Sequence, residues 1–286
     1  MTRVGWDVHA KHSADVFEER GELHWRYITS LLPDGWSLAG KEVLDFGCGS
    51  GRILRAALAQ DTGAHFTGFE THAKSVRWLQ RHLSPAATIV QTGSWPPLPE
   101  SASRFDLIYA FSVFTHLVES WSAWLLELHR VLKEDGYLVV TVVGPGHTWR
   151  DDQPFVERLV SMKVLYPWAS WDKGGPLVLH SEWWLRAHWG RVFEIVHFER
   201  GDPAGGAPLF GQGIVVMRKR AVNLTVDELE ALAPDEPREL DAALESIRLL
   251  RREVATAERI VRSKSWRYTA PLRAGARRLR ARVRRG

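Results

Sequence analysis

Four residues at alternating positions, and a fifth further on, carry the clearest chemistry in this chain. Asp45, Gly47, Gly49 and Gly51 fall within Val43-Leu-Asp-Phe-Gly-Cys-Gly-Ser-Gly-Arg52. Glycine tolerates positive φ and lets a ligand come close to the backbone. The helical run that opens near Arg52 offers unpaired N–H groups and a partial positive charge, which suit an anion. Glu70 lies 19 residues beyond Gly51, at the end of a second apolar run. A carboxylate placed there can accept both hydroxyls of a ribose, as acids do in nucleotide-binding α/β folds. The glycine spacing separates this turn from a dinucleotide-binding one. That fingerprint is G-x-G-x-x-G, whereas this chain has G-x-G-x-G and lacks the spacer that seats a pyrophosphate.

The surrounding pattern supplies the elements that must hold these residues. Residues 13–32 place Val16, Phe17, Leu23, Tyr27, Ile28 and Leu31 at roughly helical spacing, with Gly21 as an interruption. Strands are expected over residues 41–46, 64–70, 88–91, 105–111 and 137–143, and helices over 52–60, 72–83 and 121–133. Glu134-Asp-Gly reads as the turn before the fifth strand. Alternating strands and helices imply a parallel sheet covered on both faces. A helix over 181–190, with Ser181 as its cap, is followed by two strands, 192–198 and 213–218, that fit a closing antiparallel hairpin. The fold class is therefore a Rossmann-like, doubly wound α/β sheet with a C-terminal helical, coiled-coil-like extension. Residues 1–220 form the main domain, 221–261 the helical segment and 262–286 a basic tail.

With Asp45, Gly47, Gly49 and Gly51 in place, the chain resembles the class I S-adenosylmethionine-dependent methyltransferases. The resemblance implies S-adenosylmethionine as cofactor. Its carboxylate would lie at the glycine turn, its amino group opposite Asp45 and its ribose on Glu70. Ser94, in Gln91-Thr-Gly-Ser-Trp-Pro-Pro-Leu-Pro99, stands where family members often carry an acid for the adenine. Trp95 is read either as a stacking partner of the adenine or as a core residue beneath its loop. The segment Ala110-Phe-Ser-Val-Phe-Thr-His116-Leu resembles the family's stretch beside the methyl group, which assigns Ala110 to the cofactor site. It lacks the Asn/Asp-Pro-Pro-Tyr/Phe pattern of enzymes that methylate exocyclic or amide nitrogens.

Methyl transfer from an activated donor asks mainly for positioning, and an alcohol acceptor also benefits from a base. Histidine suits that role near neutral pH. His116, His147 and His180 fall in the expected acceptor loops. His116 is the first choice and His180 the second, each against a structural alternative. Asp151-Asp152 reads as a solvated acidic turn, so no metal is expected. Cys48 reads as a small packing residue. Between about residues 148 and 180, Trp149, Phe155, Tyr166, Trp168 and Trp171 suit either a sugar-facing surface or a lid with its own small core.

Charge divides the chain. Residues 262–286 hold ten Lys/Arg and no acid, so the rest carries 28 basic against 34 acidic residues. An acidic main domain argues against a nucleic-acid substrate. A lone cysteine, no apolar leader and no long apolar run give the expectation of a cytoplasmic protein. Leu240, Leu244, Ile247, Leu250, Val254, Ala257 and Val261 recur at three- and four-residue spacing, which fits a homodimer or partner helix over residues 238–261. Residues 263–273 resemble a Ser-x-Ser-Trp-Arg-x-Thr-x-Pro-Leu-Arg element of bacterial glycosyltransferases and methyltransferases of cell-surface polysaccharide assembly. The basic tail that contains it could hold an anionic membrane surface. The expected function is O-methylation of a sugar hydroxyl of a surface glycan or its precursor. RNA or a small metabolite as acceptor, and a non-catalytic scaffold, are the alternatives.

Overall fold

A computed structural model describes residues 14–144, 157–167, 169, 175–201, 209, 211–269 and 271. The chain divides into two compact units, residues 1–239 and 240–286. In the first, helix α1 (Ala14–Ser30) precedes β1 (Glu42–Phe46), α2 (Arg52–Leu58), β2 (His65–Glu70), α3 (Ala73–Leu83) and β3 (Ala87–Gln91). Then come β4 (Phe105–Ala110), α4 (Trp121–Val131), β5 (Leu132–Val142), β6 (Met162–Leu165) and β7 (Leu177–His180). Helix α5 (Glu182–His188), strands β8 (Phe193–Glu199) and β9 (Gly213–Lys219), and the short α6 (Val226–Glu230) complete it. Helix α7 (Arg238–Arg262) begins in the first unit and runs into the second, followed there by α8 (Lys264–Tyr268).

The seven-stranded sheet has the order β3-β2-β1-β4-β5-β9-β8. The first five strands are parallel, and β9 lies antiparallel between β5 and β8. The expected Rossmann-like sheet with a closing hairpin is thus the observed one. Strand order reverses between β1 and β4, and ligands of open α/β sheets bind outside the strand ends at such a switch point. Asp45 stands in register with Gly68 on β2 and Tyr109 on β4, so these residues share one face. That face is filled by Trp25 and Ile28 of α1 and Leu54 of α2, with Trp25 edge-on to Phe66. Near the edge of the sheet, the Tyr27 hydroxyl donates a short hydrogen bond to Glu199, 172 residues away. Burial first, and then that contact, raise the phenol's pKa.

Three local features differ from the sequence expectation, each for a steric or pairing reason. Helix α1 runs through Gly21 without a break. A Cβ there would clash with the Arg52 carbonyl oxygen, so the glycine permits α1 to touch the start of α2. Residues 134–136 make no separate turn between α4 and β5. Strand β5 follows α4 directly, and the extra residues form an irregularity between the pairs Phe105–Leu132 and Leu107–Tyr137. Strands β6 and β7 form an antiparallel pair within the aromatic-rich insert, where the alternation is too short to read as strand. Trp149, Phe155, Trp168 and Trp171 of that insert lie outside the described residues.

The first unit extends through Glu239 because side chains at the end of α5 hold the segment after β9. His188 places Nε2 2.5 Å from the Glu239 carboxylate and Nδ1 3.0 Å from the Leu229 carbonyl. Both nitrogens face acceptors, and Glu239 and His188 are buried. Arg191 donates to the same Leu229 carbonyl.

Gly21 gives the first test. Alanine is the better helix former by about 1 kcal/mol, yet Gly21→Ala is expected to destabilise the fold by about 1–3 kcal/mol through overpacking. Urea denaturation measures the difference. A stabilised variant would show that α1 does not press on the α2 backbone.

Candidate active site

The glycine turn between β1 and α2 is built from three residues in left-handed backbone conformations. Gly47, Gly49 and Gly51 have φ of 79°, 58° and 77°. A Cβ on Gly47 would stand 2.5 Å from Val113 Cγ2, and one on Gly51 2.5 Å from Leu79 Cδ2. The turn is therefore wedged between the segment after β4 and helix α3. Gly49 differs, since a Cβ there would meet nothing within 4 Å. It offers bare backbone to open space, which is what close approach of a ligand requires.

Glu70 fastens this turn. Its carboxylate accepts the Gly49 N–H at 2.8 Å through one oxygen and the His72 N–H at 2.7 Å through the other. The Thr71 hydroxyl also donates to the second oxygen at 3.2 Å, so of a carboxylate's roughly four acceptor sites one remains, for one ribose hydroxyl rather than both. His72 in turn caps α3, accepting from the Ser75 N–H.

Asp45 lies beneath the turn, 3% exposed. Burial lifts its pKa to about 8, Glu70 adds to the rise, and Tyr109 and Arg52 oppose it. The Tyr109 hydroxyl lies against this carboxyl without completing a hydrogen bond of normal geometry. A carboxyl so poised is ready to ionise when a cation comes beside it. Cys48 is buried, and its sulfur sits 3.0 Å from where a Cβ on Gly68 would be, so it packs against the sheet as expected.

Strand β4 ends at Ala110, which is buried. Ser112 follows at φ 58°. Its N–H donates to Thr141 Oγ1 at 2.7 Å, and its hydroxyl accepts from Gln212 Nε2 at 2.7 Å. This link from the β4 loop to β5 and the start of β9 escapes sequence reading, because its members lie far apart in the chain. His116 closes the segment. Its Nδ1 lies 2.6 Å from the Pro176 carbonyl, to which it donates, leaving Nε2 as the basic nitrogen of the neutral ring. Burial lowers its pKa, and the Pro176 carbonyl partly offsets this.

His180 ends β7 in a different setting. It is 1% exposed, stacked on Trp184 with centroids 5.7 Å apart and tilted against Trp189. Neither ring nitrogen has a hydrogen-bond partner among the described residues, and burial drives its pKa to about 3.

The loop after β3 leaves Ser94 exposed and Trp95 56% exposed, so Trp95 is not a core residue. The core position belongs to Trp124 of α4, whose indole N–H donates to the Ser94 carbonyl at 3.1 Å. His147, Asp151 and Asp152 lie outside the described residues. Among the described residues no group of three metal-ligating side chains converges.

The sequence profile of a methyltransferase domain matches residues 17–199, from α1 through β8. The chain belongs to this methyltransferase-domain family. Among curated relatives, the phthiotriol/phenolphthiotriol dimycocerosates methyltransferase 1 of Mycobacterium ulcerans is 30% identical over 111 residues, 38% of this chain and 40% of that one. The fatty-acid O-methyltransferase of Mycolicibacterium smegmatis is 28% identical, covering 43% of each chain. A ubiquinone biosynthesis O-methyltransferase of Pseudomonas aeruginosa is 29% identical, covering 37% of this chain and 46% of its own. The chain thus spans less than half the length of these relatives. Among solved structures, the glycopeptide N-methyltransferase MtfA complexed with S-adenosylmethionine has a TM-score of 0.51 at 14% identity, covering 70% of this chain and 94% of its own. An S-adenosylmethionine-dependent methyltransferase from Mesorhizobium loti gives 0.51 at 17% identity, covering 69% and 98%. These likenesses establish that the methyltransferase domain has the fold of that class.

Two buried groups make stability depend on pH in opposite senses. His180 binds its proton near pH 3 when folded but near 6.5 when unfolded, so its neutral ring favours folding above pH 6.5 and that contribution is lost as pH falls toward 3. Asp45 is raised to about 8 from 3.8, so the protonated carboxyl favours the fold below 3.8 and that advantage is lost as pH rises through 8. His180→Phe is expected to flatten the acid limb of stability between pH 6.5 and 4, and Asp45→Asn the alkaline limb between pH 5 and 8. Thermal melts across pH read both. Unchanged limbs would place these side chains in water rather than in the core.

Proposed function

We propose that this chain is an S-adenosylmethionine-dependent methyltransferase that transfers the methyl group to a hydroxyl oxygen. The carrying observation is the turn at Gly49, open on one side and flanked by buried Asp45 and by Glu70 at the switch point of the sheet. When bound, the cofactor supplies a methyl group already activated on a sulfonium. Gly49 would allow its methionine part to approach the backbone, Asp45 would pair with its ammonium group, and Glu70 would accept a ribose hydroxyl. Exposed Trp95 and Ser94 are placed by sequence for the adenine face and edge, and Ala110 for the floor near the methyl group. His116, with Nε2 basic, would draw the proton from the acceptor hydroxyl. The His180 ring, near pKa 3, is a weak base at pH 7, and it is assigned to shaping the wall of the acceptor site.

Two of the curated relatives are O-methyltransferases, which supports an oxygen acceptor. The finer reading is a sugar hydroxyl of a surface glycan or its lipid-linked precursor. It rests on the resemblance of residues 263–273 to polysaccharide-assembly enzymes. In that reading the basic residues 262–286 bring the domain to the cytoplasmic face of an anionic membrane. No helix among the described residues is long and apolar enough to cross a membrane. Exposed Trp266 and Tyr268 on α8 would enter the headgroup layer.

Cofactor binding is expected to expel a proton, because an ammonium beside Asp45 stabilises its ionised form. Calorimetry with S-adenosylmethionine at pH 7 in buffers of different ionisation enthalpy should show release approaching one proton. Asp45→Asn should abolish the release, and an unaltered release would assign it elsewhere. His116→Ala is expected to lower turnover about 10²–10⁴-fold while leaving cofactor affinity within about twofold. The assay follows S-adenosylhomocysteine formed with nucleotide sugars, lipid-linked saccharides, fatty acids and phenols. Turnover with amines alone would sink the oxygen-acceptor reading.

A further inference from the structure

Gln212 is held more firmly than an ordinary surface glutamine. It stands between Gly211, at φ 90°, and Gly213. A Cβ on Gly213 would lie 2.5 Å from the Glu199 carbonyl oxygen, and one on Gly201 2.0 Å from the Gly211 carbonyl oxygen. The two backbones at this end of the β8–β9 pair therefore touch, which glycines permit. The Gln212 N–H donates to the Leu209 carbonyl at 3.2 Å. Its side-chain Nε2 donates to Ser112 Oγ at 2.7 Å, and the Ser112 N–H donates to Thr141 Oγ1 at 2.7 Å. Ser112 keeps a left-handed backbone that a residue with a side chain adopts only where its surroundings impose it.

One atom of this arrangement is left over. Gln212 Oε1 is buried and meets no hydrogen-bond partner. A buried carbonyl oxygen without a donor is unfavourable and rare in a folded protein, so it calls for a cause. Its place in the sheet supplies one. Gly213 pairs with Val142, the last residue of β5, so Gln212 stands just beyond the C-terminal end of that strand. Strand β4 ends at Ala110 on the same side, and Val113, next to Ser112, presses on Gly47 of the glycine turn. His116 lies four residues after Ser112 in the same segment. The Gln212 residue as a whole is only half-buried, and the last torsion of a glutamine is soft, so the amide can turn toward a donor entering there.

Counting protons says what that donor is. In the oxygen-acceptor reading above, on which this inference rests, the reacting hydroxyl gives its one proton to His116 Nε2. It has nothing left to donate, so the partner of Gln212 is a second hydroxyl. A simple phenol or fatty acid has none to offer, whereas a sugar ring or a catechol does. We infer that Gln212 is a specificity-determining residue that accepts a hydrogen bond from a second hydroxyl of the methyl acceptor, and that this acceptor is a diol.

Matched probes test the inference, with S-adenosylhomocysteine formation as the readout. Methyl hexopyranosides are set against their monodeoxy analogues, and catechol against phenol. Wild-type kcat/KM is expected to fall about 10–100-fold when the second hydroxyl is removed, the loss that follows from leaving a buried acceptor unpaired. Gln212→Leu should cause a similar loss on the diol, with S-adenosylmethionine affinity within about twofold as the check on folding. The two losses should not multiply, because both remove the same bond. Taking the hydroxyl from the acceptor of Gln212→Leu should therefore lower its kcat/KM by no more than about twofold further. Losses that multiply mark Gln212 as merely structural and overturn the inference. Wild-type turnover of phenol or fatty acids as fast as of diols overturns it too, while leaving oxygen methylation standing. Turnover of amines alone, or of no hydroxyl probe, overturns the oxygen-acceptor reading and this inference with it. A loss in the hexopyranoside series identifies a sugar as the diol, and a loss only in the catechol pair an aromatic one.

Discussion

The candidate site depends on one carboxylate that bonds in two directions. Glu70 takes the Gly49 N–H on one oxygen and the His72 N–H on the other. The first bond fixes the crest of the glycine turn, and the second fixes the start of α3. Helix α3 then presents Leu79 to Gly51, and the segment after β4 presents Val113 to Gly47. The loop is thereby held from both sides while its exposed glycine stays bare. Charge-assisted bonds to backbone N–H groups are strong enough to set such a loop before any ligand arrives. Preorganisation of this kind lowers the entropic cost of binding.

Beneath that loop the structure keeps an uncomfortable group. Asp45 is buried between Tyr109 and the glycine turn, where burial opposes its ionisation. Such an arrangement costs stability in the empty domain and returns it when a cation enters. The cost is compatible with the fold because the same face carries a large apolar core around Trp25, Phe66 and Leu54.

Much of this was legible in the sequence because it is local. Glycines at alternate positions, an acid before them and another after the next strand all follow from the order of residues. The closing hairpin was legible from two β-rich runs flanking a Gly/Pro loop. What the sequence hid is non-local. Gly21 reads as a helix break until Arg52 is found against it. Ser112, Thr141 and Gln212 look unrelated until the sheet order makes them neighbours. Trp95 is exposed and Trp124 holds the core position beneath its loop, a choice the sequence leaves open because a tryptophan in a proline-rich loop is indistinguishable by type from one on an inner helix face. Leu229 and Glu239 join the first unit through His188 and Arg191, a partnership that a composition shift after Arg220 conceals.

The bond from Tyr27 to Glu199 ties the opening helix to a strand made 172 residues later. A ribosome delivers α1 long before β8 exists, so this bond closes late, after Trp25 and Ile28 have already met Leu54 and Phe66. Non-local closure of this kind slows folding. It also means that a nascent chain stalled before β8 would show a half-covered apolar core to its surroundings, the species that chaperones recognise.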